Sequence, residues 1–229
     1  LDNEPETIER VSDVVPSIPD TTNPHPHTMK LGEFIAHSHL FGKISIRKFL
    51  KTSFSRISDS VIAEMIKVGG VKKAWMDKSL ASTSEENIKI MYSTLQKLKL
   101  MAPPTKSVMQ IGESNLAKSI QRLGEVDFFS VMSRKPMICD FKPVLVEVAI
   151  ARLTEKTQSD RETPVQILRF ANRVPLQFDK GACAMTKAVE NVNWRSYGLS
   201  QPKKSLPQGP YIMAISLVSP FIKFKNASK

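Results

Sequence analysis

Two adjacent prolines, Pro103 and Pro104, divide this chain into two different textures. Proline has no backbone N–H to donate and drives the residue before it out of helical geometry, so neither a helix nor a central strand can run through the pair. Upstream, apolar residues recur at helical spacing. From Lys30, residues Leu31, Phe34, Ile35 and Leu40 form one face that ends near Gly42. A second helix is predicted over Ser45–Thr52, with Ile46, Phe49 and Leu50 inward, and a third over Ser58–Val68, with Ser58 as N-cap. Gly69-Gly70 stops the third, because glycine tolerates the left-handed geometry of a helix end. A fourth starts near Ser84, where Glu85 and Glu86 place acidic charge in the first turn, and presents Ile88, Met91, Leu95 and Leu98 inward.

Downstream of the prolines one helix is predicted over Ile111–Leu123 and another over Gly181–Val192. Between and after them lie short runs rich in Val, Ile and Phe: Val126–Met132, Val144–Ala151, Val165–Phe170 and Tyr211–Val218. These read as strands. Helices first, then a mixed sheet with helices, is an α+β organisation. It divides into a connector over 1–28, an all-α domain over 29–104 and an α/β domain over 105–229. The connector carries Pro5, Pro16, Pro19, Pro24 and Pro26 and is expected to be extended. The chain opens on Leu1 rather than an initiator Met, which suggests a piece of something longer.

Charge is unevenly spread. Residues 1–27 hold one basic side chain, Arg10, and six acidic ones, whereas the whole chain of 229 residues carries +11. The body after residue 27 is therefore basic at +16, a balance that favours phosphate-bearing partners. Lys43, Arg47, Lys48, Lys51 and Arg56 form its densest cluster. Spacings of four place Lys43, Arg47 and Lys51 along one face if helix continues between them. Such a row is either a solvated face or a set of sequence-indifferent contacts to DNA phosphates. No apolar run approaches the roughly 20 residues of a membrane helix, so no membrane contact is expected.

Catalytic constellations are missing from the sequence. His25-Pro26-His27 has no cysteine or carboxylate pair beside it to complete a tetrahedral site, and no metal is expected. The nine glycines are dispersed, leaving no phosphate-cradling loop. Cys183 opens a predicted helix, where a thiolate would be favoured, but a small residue packed on a sheet is the simpler role. No catalytic residue is assigned.

Longer strings are more specific. Arg169-Phe170-Ala171-Asn172-Arg173-Val174-Pro175-Leu176 leads through Gly181-Ala182-Cys183 and Thr186-Lys187-Ala188-Val189 to Trp194, Tyr197-Gly198-Leu199 and Gln201. This series closely resembles the transducer domain of the topoisomerase VI B-subunit family in order and spacing. Met101-Ala102-Pro103-Pro104-Thr105, Ile111-Gly112-Glu113 and Val146-Glu147-Val148 are similar to the same family. Asn23-Pro24-His25-Pro26-His27 with Leu31-Gly32, and Phe54-Ser55-Arg56, resemble the entry to its helix–two-turn–helix domain. The likeness covers about residues 23–229. Thr28, Ser133-Arg134-Lys135-Pro136 and Val148-Ala149-Ile150-Ala151-Arg152 depart from the family pattern and mark a divergent member.

The resemblance implies an all-α helix–two-turn–helix domain followed by a ribosomal-protein-like β-α-β transducer. It implies a GHKL ATPase domain before Leu1, with ATP and Mg²⁺ bound by the complete subunit and none by this segment alone. Expected partners are a second B subunit, paired through that ATPase domain, the A subunit that cuts DNA, and double-stranded DNA. The Asn172-Arg173 pair is expected to turn the chain between strands. Ser219–Lys229 aligns without gaps on the family's switch-lysine loop, which makes Lys229 the residue for the nucleotide γ-phosphate. A long flexible stem ending in a point charge suits a group that must engage and release. The location implied is the nucleoid-bearing cytoplasm in a prokaryote or the nucleus in a eukaryote. Two other classes stay open: a stand-alone, sequence-nonspecific DNA-binding module without ATPase activity, and a GHKL relative of the mismatch-repair or gyrase type.

Overall fold

A computed structural model describes residues 9–15, 17–154, 161–177 and 180–222. It separates into two compact units. One comprises Asp20–Ser107 together with the short stretch Met137–Val144; the other comprises Val108–Pro136 and Leu145 onward, with the segment before Asp20. Across the chain the fold is mixed, with six α-helices and a six-stranded sheet among the described residues.

The first unit is built on α1 (Leu31–His39), α2 (Ile46–Ser53), α3 (Asp59–Val68) and α4 (Glu85–Lys97). Its helix starts are written locally. Ser45, Ser58 and Ser84 each accept a hydrogen bond from the backbone N–H three residues on, satisfying a donor that the helix itself leaves free. Gly69 ends α3 at φ 104°. The inward faces meet in one core around Phe34, Phe49, Phe54, Met65, Met91 and Leu95. Phe34 stacks on Phe54 at 5.3 Å and meets Phe49 edge-on at 6.0 Å, so aromatic geometry as well as area holds the centre.

The second unit contains α5 (Glu113–Gln121), α6 (Ala184–Asn191) and most of the sheet. Its strands are β1 (Val126–Ser133), β3 (Lys142–Leu153), β4 (Gln166–Ala171), β5 (Val174–Pro175) and β6 (Tyr211–Val218), in the order β1-β3-β6-β4-β5. The pairing is antiparallel except between β4 and β6, which are parallel and joined through α6. Alternation along the strands sends Ala149 and Ala151 under Leu116 and Ile120 of α5. Ile167, Met213 and Ile215 point the other way, against Val189 of α6. The two small alanines let α5 approach the sheet closely.

Two short strands were not among the strand runs read from the sequence, although the turn expected at Asn172-Arg173 implies the first of them. β5 is two residues long, and β2 (Met137–Cys139) pairs back on the start of β3 across a two-residue turn, Asp140-Phe141. The turn expected at Asn172-Arg173 is present, with φ 48° and 67° linking β4 to β5. Among the described residues no helix is long and apolar enough to cross a membrane.

Candidate functional site

The basic cluster falls in the helical unit, and only part of it forms a row. Ser45 caps α2 and Ile46 is its first residue, with Gly42 at φ 53° before it, so helix does not continue back to Lys43. The expected three-residue face is therefore Arg47 and Lys51, one turn apart. Both close on Asp59: Arg47 Nη1 lies 3.1 Å from Oδ1 and Lys51 Nζ 2.6 Å from Oδ2. Lys51, and then Arg47, holds the Asp59 carboxyl below the usual carboxylate range. Lys43 and Lys48 are exposed. Arg56, in the left-handed region at φ 66°, donates its Nε–H to the Ala102 carbonyl at 2.6 Å. Exposed ion pairs of this kind contribute little stability, so both cations can be drawn from Asp59 at small cost.

His25-Pro26-His27 is an architectural turn. Pro26–Thr28 forms a single 3-10 turn, and His25 caps it by accepting from the His27 backbone N–H through Nδ1 at 3.2 Å. That bond fixes the tautomer, because Nε2–H must then donate, and it reaches the Met101 carbonyl at 3.2 Å. His27 Nε2 bonds the Leu95 carbonyl at 2.9 Å. His25 is fully buried. Burial pushes its pKa down, the Met101 bond opposes this, and the nearby His27 and Arg56 charges add to the lowering. Phe141 stacks on His25 at 4.7 Å and 10° and meets His27 edge-on at 4.9 Å. Nothing in the sequence marked Phe141, since residues 25 and 141 are brought together only by the hairpin of β2 and β3.

In the sheet unit the motif residues hold the framework. Glu147, on β3, is fully buried and accepts from the Ile111 N–H at 2.8 Å, the Gly112 N–H at 2.9 Å and the Ser133 hydroxyl at 2.9 Å. It thereby pins the start of α5 and the end of β1 to β3. Gln201 accepts from the Trp194 N–H at 3.2 Å and donates to the Glu190 and Ser205 carbonyls. Trp194 Nε1–H donates to the Val189 carbonyl at 2.7 Å. Cys183 is the buried N-cap of α6. Burial raises its thiol pKa, but the Thr186 N–H, the Arg169 guanidinium and the Met185 N–H outweigh this and leave it lowered.

Asn172 binds Ser219 in both directions just past the end of β6. Lys229 itself lies outside the described residues. A cavity of about 770 Å³ lies beside α5, with Val11, Leu116, Ile120, Leu168, Phe170 and Arg173 among its lining residues. It offers apolar surface and one cation rather than a nucleophile with a base. Among the described residues no group of three His, Cys, Asp or Glu side chains could hold a metal ion.

Among the described residues the sheet unit is a mixed sheet with a helix on either face, held by the buried polar clamps of Glu147 and Gln201. Residues 103–229 match the family model of the topoisomerase VI B subunit transducer. The chain belongs to the topoisomerase VI B-subunit family. It is 33% identical over 222 residues to the B subunit of type 2 DNA topoisomerase 6 from Methanococcoides burtonii, covering 97% of this chain and 35% of that protein. It is 32% identical to the corresponding protein of Archaeoglobus fulgidus, covering 97% and 36%, and 32% identical to that of Methanosarcina mazei, covering 100% and 36%. The chain thus spans about a third of the length of the curated relatives it matches.

Proposed function

We propose that this chain is the central part of the B subunit of an ATP-dependent type II DNA topoisomerase. In this reading residues 29–104 are the helix–two-turn–helix domain and residues 105–229 are the transducer. The pair couples nucleotide binding by a GHKL domain, outside this segment, to cleavage and passage of double-stranded DNA by an A subunit. ATP and Mg²⁺ belong to the complete subunit.

The observation that supports the reading most is the twofold bond between Asn172 and Ser219. It anchors Ser219, the first residue of the segment that aligns with the switch-lysine loop of this reading. The framework roles of Glu147, Gln201 and Asn172 suit a part that transmits motion rather than one that performs chemistry. Lys43, Arg47, Lys48, Lys51 and Arg56 are the proposed phosphate contacts in the helical unit. A second B subunit and an A subunit complete the assembly, which works wherever the genome lies: cytoplasm in a prokaryote, nucleus in a eukaryote.

The test is relaxation of supercoiled plasmid by the full-length protein purified with its A subunit. ATP- and Mg²⁺-dependent relaxation is expected. Salt-sensitive duplex binding with no relaxation and no ATP turnover would replace the reading with a stand-alone DNA-binding module.

A further inference from the structure

The hairpin of β2 and β3 has the wrong residue for its turn. Asp140 and Phe141 occupy the two central positions with φ 48° and 55°. A two-residue turn with both φ values positive favours Asn-Gly or Asp-Gly, because a side chain at the second position meets the backbone. A bulky residue there is an outlier, and such strain persists where surrounding contacts over-determine it. Phe141 has such contacts. Its ring lies flat on His25 and edge-on to His27, while His25 in turn holds the Met101 carbonyl and the His27 N–H. The backbone would accept glycine; the side chain is what the position supplies.

The strand behind this ring matters as well. β3 is one continuous strand, Lys142–Leu153. Its first residues group with the helical unit, and from Leu145 it belongs to the sheet unit. Within the sheet unit it is held by Glu147, through Ile111, Gly112 and Ser133. Within the helical unit it is held at the hairpin tip by Phe141. Both anchors lie close in sequence to the point where the chain passes from one unit to the other.

We propose that Phe141 is a positioning residue that fastens the β2–β3 hairpin to the His25–His27 turn, so that displacement of β3 in the sheet unit is delivered to the helical unit. The inference rests on the B-subunit reading above.

Phe141→Gly is the decisive variant, because it relieves the turn strain while removing the ring and so protects the fold. In the full-length protein with its A subunit, relaxation per ATP hydrolysed should fall by about five- to tenfold, the scale of a lost pair of ring contacts. Its unfolding temperature should stay close to that of the wild type. Phe141→Tyr, which keeps the ring, should restore the ratio. An unchanged ratio in Phe141→Gly, or equal loss in Phe141→Tyr, overturns the proposal.

Hydrogen exchange on the same proteins provides a readout that needs no strand passage. Phe141→Gly should speed exchange of the Thr28 and Met29 amides, which are bonded to the His25 and Pro26 carbonyls. Unchanged exchange there also overturns the link. A wild-type complex that fails to relax DNA would sink the B-subunit reading, leaving the exchange result to judge the hairpin.

Discussion

Asn172 and Ser219 bind each other twice: the Asn172 side-chain amide donates to the Ser219 carbonyl and accepts from the Ser219 N–H, both at 2.9 Å. Asn172 also sits at φ 48°, a region where asparagine is among the few non-glycine residues at ease. Asn172→Ala loses both bonds and the backbone preference together, and should cost about 2–4 kcal/mol. Asn172→Gly keeps the backbone and loses only the bonds, so it should cost about half as much. Urea unfolding of both variants checks the order. A glycine variant as unstable as the alanine one would show that the turn geometry contributes nothing.

Glu147 is a buried acceptor facing three donors. Glu147→Gln turns one oxygen into an N–H₂ group that meets a backbone N–H in either orientation, Ile111 on one side or Gly112 on the other. Leaving such donors unsatisfied should cost about 1–3 kcal/mol, despite the near-identical shape. Ser133→Ala removes one of the three bonds and should be milder, about 1 kcal/mol, the net value of a single hydrogen bond. Chemical denaturation with an unchanged m-value is the measurement. A Glu147→Gln variant as stable as the wild type would mean that the clamp does not need the carboxylate.

The lowered pKa of His25 has a defined consequence for acid stability. Well above the ordinary histidine value of about 6.5, the ring is neutral in folded and unfolded chains alike and contributes no pH dependence. As pH falls through that value, the unfolded chain takes up the proton first and stability declines. The decline levels off once pH passes below the folded pKa. Protonation of the folded ring at Nδ1, which comes only at the lower end of that range, removes the acceptor for the His27 N–H, so the turn should loosen there. Thermal unfolding of the wild type and of His25→Asn between about pH 7.5 and pH 5, in steps on the order of half a unit, reports it. The substitution should flatten the slope, and an unaltered slope would assign the effect to other groups.

Asp59 pairs with both Arg47 and Lys51, two of the proposed phosphate contacts. Asp59→Asn should therefore strengthen duplex binding and steepen its salt dependence by about 1–2 in log K against log salt, since each phosphate contact adds about 0.9. Neutralising Lys43, Arg47 and Lys51 together should flatten the dependence instead. Binding isotherms from low to moderate salt decide it. If both variants bind as the wild type does, this cluster is a solvated face.

Much of the local structure was legible because it is governed by neighbours in sequence. Ser45, Ser58 and Ser84 cap helices through donors three residues away, and Gly69 stops α3 through its own φ. The Asn172-Arg173 turn is legible in part from Asn172, which accepts positive φ. The cation row was legible only in part, because the Ser45 cap ends the helix before Lys43 and because Asp59 returns to Arg47 and Lys51 from the next helix. The hairpin turn at Asp140-Phe141 was invisible for the opposite reason. Phe141 breaks the local rule that would have announced it.

The sequence by itself determined the family, the order of helices and strands, and the residues that start and stop them, because those depend on motif strings, periodicity and contacts a few residues apart. Tertiary structure alone decided which carboxylate meets which cation, that Glu147 is a buried clamp, and that Phe141 lies on His25. Those pairs are 8 to more than 100 residues apart in the chain. Their energies come from burial and geometry that exist only once the strands and helices have closed on one another.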